Sequence, residues 1–194
     1  MEDTKDKILD ATIKLLDEVG WDGATTKRIA AEAGVNEVTL FRKFKTKNLM
    51  LEAAKNRSAI NFLDELEELL KIDPESDLET YLRTIWKNSS KMIDKRTNLI
   101  RISMEEVRGV PFENKVLPKI SKMVLDNLTD YFKDQIVKGN LRKIDPEVAA
   151  LNFFSIVFQM NMMWRVYGQN PPVEDERCLE SFLDIFLRGI LEDK

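Results

Sequence analysis

Residues Thr25 to Lys47 read TTKRIAAEAGVNEVTLFRKFKTK, two short helical stretches around a corner at Gly34, followed at once by a cluster of cations. Thr25 or Thr26 can cap the first stretch, because a side-chain oxygen there accepts a bond from an amide of the first turn that has no helical partner. Lys27 to Ala33 then runs through good helix formers, with Ile29, Ala30 and Ala33 on one side. A glycine just past the last helical residue adopts the left-handed conformation without a Cβ penalty, so Gly34 stops the helix and turns the chain. Asn36 is a favoured cap for the next helix, and Val35 and Leu40 occupy the two positions of a hydrophobic staple. The spacing predicts a second helix from Glu37 to Phe44.

Leu40 and Phe44 are four residues apart and share the buried side of that helix. At roughly 100° per residue, Val38, Thr39 and Arg42 lie opposite, with Asn36, Phe41 and Lys43 on the flanks. That face offers a cation able to bond guanine or phosphate, a hydroxyl, and an apolar group that fits a thymine methyl. Such an element suits the major groove of double-stranded DNA. Arg42, Lys43, Lys45 and Lys47 lie within six residues, and no acid occurs between Val38 and Leu51. The cluster is an electrostatic footprint for phosphate. Glycine-linked helix pairs also occur in all-α proteins that never touch nucleic acid, and cation runs often form plain solvated faces. The residues alone leave both readings open.

The stretch from Ile8 to Leu51 resembles the DNA-binding domain of the tetracycline-repressor (TetR) family of bacterial transcription regulators. The matching residues are an amphipathic helix ending in Glu18-Val19-Gly20, the aromatic Trp21, and Ala24-Thr25-Thr26. Ile29-Ala30, Ala33-Gly34-Val35, Thr39-Leu40-Phe41, Phe44-Lys45-Thr46-Lys47 and Leu51 follow in order. Four positions depart from the pattern: Val38 stands where glycine is usual, Phe41 where tyrosine is common, Lys43 where tyrosine or histidine is common, and Met50 where leucine is usual. Phe41 lacks the hydroxyl that bonds a phosphate, and Val38 adds a branched side chain to the groove side, so operator sequence does not carry over. The resemblance and the helix geometry together give Asn36, Val38, Thr39 and Arg42 as base contacts. Thr26, Lys27, Arg28, Phe41, Lys43 and Lys47 are the expected phosphate contacts.

The chain has 194 residues, 33% charged and 43% hydrophobic, ordinary values for a soluble globular protein. Its net charge is −4, yet residues 1 to 50 carry nine Lys or Arg and nine Asp or Glu, so this segment is neutral and arrangement decides. Asp3, Asp6, Asp10, Asp17 and Glu18 on the first helix are expected to point away from DNA. A single cysteine, Cys178, excludes an intrachain disulfide and a zinc finger and suits a reducing cytoplasm. The start MEDTKDK lacks the basic end and apolar run of a secretory segment. Phe153 to Tyr167, the greasiest stretch, contains Gln159, Asn161 and Arg165 and falls short of the roughly 18 apolar residues of a membrane span. With no histidine anywhere, Ser-His-Asp and Cys-His chemistry is impossible, and there is no phosphate-binding glycine loop. The expectation is a cytoplasmic non-enzyme without catalytic residues, metal or cofactor, and without a membrane partner. The rival function is a helical protein-interaction module lacking sequence-specific DNA binding.

The expected architecture is all-α, with about nine helices: an N-terminal three-helix helix-turn-helix domain joined by a long helix to a C-terminal helical bundle. The first helix spans about Lys5 to Val19, and Thr46 caps a fourth that reaches Lys71, leaving no loose tether. Further helices are expected at 76 to 94, 98 to 108, 113 to 138, Pro146 to Tyr167, and Asp175 to Leu191. Residues 1–46 form the DNA-binding domain and 47–194 the effector-binding and dimerisation domain. The helix from Pro146 is apolar nearly all round, so it needs cover on more than one side, and a partner subunit supplies it. Phe154, Phe158, Leu179, Phe182, Leu183, Phe186 and Ile190 are the candidate homodimer contacts, a thick monomer core being the alternative. The resemblance implies a small-molecule effector pocket in the helical body, and an apolar lining of the kind present here suits a hydrophobic molecule. Its candidate lining is Trp86, Asn88, Met104, Glu105, Met123, Phe158, Asn161, Met162 and Trp164, with core packing the rival reading for each.

Overall fold

The computed structural model describes residues 3–71, 76–105, 116–169 and 172–191. Among these the chain is all-α, with nine helices: α1 (Thr4–Gly23), α2 (Thr26–Glu32), α3 (Glu37–Phe44), α4 (Lys47–Leu70), α5 (Leu78–Asp94), α6 (Thr97–Glu105), α7 (Val116–Val137), α8 (Pro146–Gln159) and α9 (Asp175–Ile190). One antiparallel bridge, Leu141 to Leu191, is the extent of β pairing among the described residues. The expected 106–108 and 113–115 portions of two helices lie outside them. No helix among the described residues is long and apolar enough to cross a membrane.

The chain forms two compact units, Met1–Asp64 with Arg96–Gly109, and Glu65–Lys95 with Val110–Lys194. In the first unit, α1 begins where the Asp3 side chain accepts the Lys5 amide at 3.2 Å. The sequence ends this helix at Gly20. Gly20 does adopt φ 70°, but the chain then makes one more turn to Gly23, with the Ala24 amide on the Gly20 carbonyl at 3.1 Å. The stripe of α1 joins Ile29, Ala30, Leu40, Phe44, Met50, Leu51 and Leu99 in one apolar core, so α2, α3, the start of α4 and α6 share a single packing centre. Asn98 at the start of α6 donates to the Asp17 carbonyl of α1 at 2.6 Å. Burial pushes the Asp17 carboxyl above its usual range, against bonds from the Leu99 and Asn98 amides.

The second unit is built around aromatic rings. Phe153 of α8 sits 5.9 Å from Phe182 and 6.0 Å from Phe186 of α9, and Phe132 of α7 lies 6.2 Å from Phe186. These are separations at which tilted rings attract. Asp77 caps α5 through the Thr80 amide at 3.0 Å, and Asp145 caps α8 through the Glu147 amide at 2.9 Å, with Pro146 in the first turn.

Two sequence readings change here. The helix expected to run unbroken from Pro146 to Tyr167 is α-helical only to Gln159, and Met160–Val166 is a π-helical segment, with the Tyr167 amide reaching the Met162 carbonyl five residues back at 3.0 Å. Second, Leu179, Leu183 and Ile190, read as dimer contacts, point into the subunit's own core at 1%, 2% and 7% exposure. The apolar stripe of α9 marks a buried face in the sequence, but not whether the same chain or a partner buries it. What α8 and α9 leave exposed is Val148, Leu151 and Ile185, while Phe154, Phe158, Phe182 and Phe186 are half-buried.

Candidate nucleic-acid interface

The turn between α2 and α3 is fixed by backbone bonds that the sequence specifies. Thr25 caps α2 by accepting the Arg28 amide at 3.3 Å. At the far end, the Val35 amide reaches the Ala30 carbonyl at 2.9 Å and the Gly34 amide the Ala31 carbonyl at 3.2 Å, with Gly34 at φ 66°. This is the paired closure of a Schellman motif, and its positive φ favours glycine at Gly34. Asn36 caps α3 by accepting the Thr39 amide at 2.8 Å. Leu40 (0% exposed) and Phe44 (6%) anchor α3 in the core, which turns Val38 (77%) and Phe41 (41%) outward.

At the other end of α3 the chain makes a tight reversal. Lys45 has φ 61° and ψ −49°, and the Thr46 amide bonds the Phe44 carbonyl at 2.7 Å, which makes a γ-turn. Positive φ strains a lysine, and the strain is held because α3 and α4 must leave this point in different directions: Thr46 immediately caps α4 through the Leu49 amide at 3.2 Å. Lys45→Gly is therefore expected to raise stability by about 1 kcal/mol, the relief of strain exceeding the added freedom of the unfolded chain. Thermal denaturation checks this, and a lower melting temperature would show that the lysine side chain stabilises more than its backbone strains.

The interface residues differ in what they have free to offer. Arg42 and Lys27 are exposed and have no ion pair among the described residues. Thr39 is half-buried, with its amide already engaged by Asn36. The Asn36 side-chain oxygen already accepts that bond, which leaves its NH2 group and one lone pair to meet a base. Arg28 donates to the Gly23 carbonyl at 3.3 Å. Lys47 donates to the Trp21 carbonyl at 3.4 Å and lies 6.0 Å above the Trp21 ring, where it remains a fixed positive charge at the start of α4. Lys43 sits 3.6 Å from Asp3. The Lys5 amide first, then the Lys43 charge, hold Asp3 below its usual carboxylate range. Asp3 thus faces α3 rather than away from it, while Asp6 and Asp10 pair with Arg57 at 2.5 and 3.2 Å.

Sequence reading missed two features. The Thr26 hydroxyl, expected on a phosphate, donates to Glu37 Oε2 at 2.8 Å, leaving Thr26 its backbone amide for an anion. Thr25 is exposed, and its oxygen serves as the cap acceptor, so its own proton is free to donate. The doublet Thr25-Thr26 was the available signal, but which hydroxyl turns inward depends on Glu37, eleven residues on.

In the second unit, Trp86, Asn161 and Met162 are buried, and Asn88, Met123, Phe158 and Trp164 are half-buried. Met104 belongs to the first unit, and the side chain of Glu105 lies outside the described residues. Ser89 connects Trp86 and Asn161: its hydroxyl donates to the Trp86 carbonyl at 2.9 Å and receives the Asn161 amide at 3.4 Å. Asn161 also donates to the Val157 carbonyl at 2.9 Å, which fixes the orientation of the amide. Its Oδ1 is buried and has no hydrogen-bond partner among the described residues. Arg165 bonds both Asp94 oxygens, at 2.8 and 2.7 Å, and also Asp175, so it ties α5, the π segment and α9 together.

Residues 8–54 match the description of bacterial regulatory proteins, tetR family, and residues 81–189 match that of the AefR-like transcriptional repressor, C-terminal domain. The chain is 29% identical over 198 residues to the uncharacterised helix-turn-helix regulator YvkB of Bacillus subtilis, covering 100% of both. It is 37% identical over 49 residues to the class D tetracycline repressor protein of Escherichia coli, 25% of this chain and 22% of that one. A solved structure from Mesorhizobium loti, assigned to the TetR family of transcriptional regulators, superposes with a TM-score of 0.74 at 18% identity over 97% of each chain.

Proposed function

Since the chain belongs to the tetR family of bacterial transcription regulators, we propose that it is a ligand-responsive DNA-binding repressor. It acts as a homodimer on a near-palindromic operator and is released by a small hydrophobic molecule held in the C-terminal part. Residues 1–46 read the DNA, and 47–194 dimerise and bind the effector. The observation that carries this reading is α3 itself: anchored by Leu40 and Phe44, it holds Val38 outward at 77% exposure, with Arg42 exposed on the same side. A valine beside a free guanidinium matches the methyl, acceptor and phosphate chemistry of a major groove. The match of residues 81–189 to a repressor's C-terminal domain favours repression. The orphaned Asn161 Oδ1, on an amide linked through Ser89 to the Trp86 carbonyl, supports a ligand position, since a buried acceptor seeks a donor.

The DNA reading is tested by titrating labelled duplexes across a salt series. Arg42→Ala is expected to relax sequence preference, with about 1–3 kcal/mol lost at one base position, whereas Lys47→Ala weakens all duplexes alike and lowers the salt slope by about one. The reverse pattern would mean that α3 lies otherwise in the groove. A flat salt response in the wild type would favour the protein-interaction module. A compound screen for thermal stabilisation together with operator release addresses the effector.

A further inference from the structure

We propose that Glu37 selects a cytosine in each operator half-site; the proposal rests on the reading of α3 as the recognition helix. Residues 23 to 51 contain two acids, Glu32 and Glu37. Glu32 is neutralised by Lys14 at 2.6 Å. Among the described residues no cation pairs with Glu37, whose partner is the neutral Thr26 hydroxyl at 2.8 Å. Thr26 opens α2 and Glu37 opens α3, so this bond joins two helix N-termini, whose partial positive charge favours a carboxylate there.

Beside phosphates an acid is repelled, so a surface that binds DNA favours a carboxylate where it meets donors; Thr26 supplies one to Glu37, and the second oxygen is left for another. In the major groove the base donors are the amino groups of cytosine and adenine. Adenine N6 lies next to the acceptor N7, which opposes carboxylate lone pairs, whereas the cytosine amino group has a C–H neighbour on its own ring. Cytosine is the better fit. The N-terminal residues of a recognition helix are the ones that reach base edges, and Glu37, half-buried and on the anchored side of α3, meets the groove as the first residue of that helix. Thr26 occupies Oε2 and holds the side chain in place, leaving Oε1 free to accept from the base without a further ordering step.

Selection of binding sites from a randomised duplex pool, run at one salt concentration with wild type and Glu37→Gln, tests the assignment. The wild type is expected to return a C at one position of each half-site and to lose about tenfold or more in affinity when that pair is changed. Glu37→Gln is expected to turn that position to A, because an amide matches adenine N6 and N7 together, and to bind unrelated duplexes more tightly. Thr26→Ser, which keeps the hydroxyl, retains the C, and Thr26→Val blurs it. A base profile that Glu37→Gln leaves unchanged overturns the proposal, and so does an equal change on every duplex, the mark of a residue that only pins α2 to α3. If Glu37→Gln melts too low to be assayed, the Thr26→Ser and Thr26→Val pair decides by the same profile. A wild type that selects no sequence at all sinks the recognition-helix reading as well; a selected site indifferent to residue 37 sinks only the role of Glu37.

Discussion

Leu40→Ala is expected to destabilise the protein by about 2–5 kcal/mol and to take operator binding with it. Leu40 is fully buried, in a core that also holds Ile8, Leu16, Ile29 and Leu51, so the lost methyl groups leave a cavity that close-packed neighbours cannot refill. The change falls on the link between packing and function: α3 has only eight residues, too few to persist without its two anchors, and Phe44 alone lets it roll. Leu40→Met nearly conserves volume and should cost less than about 1.5 kcal/mol. Val38→Ala, two residues away and 77% exposed, should change stability by no more than about 0.5 kcal/mol while altering which operators bind. Denaturant midpoints and duplex titrations on the three variants separate the effects. Equal stability losses for Leu40→Ala and Val38→Ala would mean that α3 presents a different face from the one described.

The contrast between Leu40 and Val38 was legible in the sequence because short helices with a polar side carry their own orientation. Gly34, Asn36 and Thr46 were legible for a related reason: a cap or a left-handed turn is settled by the residue and its nearest neighbours. The strained turn at Lys45 was not, since nothing local demands positive φ of a lysine; it follows from where α3 and α4 are both anchored. The Thr26–Glu37 bond joins residues on different helices, and only the Gly34 corner brings them within 2.8 Å. In the helix from Pro146, greasy residues on several sides left periodicity nothing to measure, so the π segment could not be read; α9 does carry one apolar stripe, but periodicity marks a buried face without saying whether its own chain or a partner covers it. Asn161 stood out as a polar residue in an apolar run. That its oxygen is the orphan became decidable only once Ser89 and Val157 had claimed its nitrogen.

Leu151→Glu combined with Ile185→Glu is expected to leave the subunit folded, to abolish the dimer, and to reduce operator affinity by about 10²–10⁴-fold. Both side chains are exposed in the subunit, at 51% and 73%, so the carboxylates meet water in the monomer and stability moves little. In a twofold interface each substitution appears twice, and four like charges would have to be desolvated together, the nearby Arg188 being already engaged by Asp184, a penalty of several kcal/mol per ion. Leu179, Leu183 and Ile190 are unsuited to this test, because they are buried in the subunit's own core and their loss would unfold it. The affinity loss follows from geometry. Two recognition helices related by a twofold axis engage successive major grooves roughly 34 Å apart, and tethering makes the second contact effectively intramolecular. A monomer keeps its phosphate contacts but forfeits that gain, so its salt slope should fall to about half that of the dimer. Sedimentation, circular dichroism and operator titration on one sample read all three quantities. A folded monomer with undiminished operator affinity would refute the dimeric reader, and a dimer that survives both glutamates would place the interface away from Leu151 and Ile185.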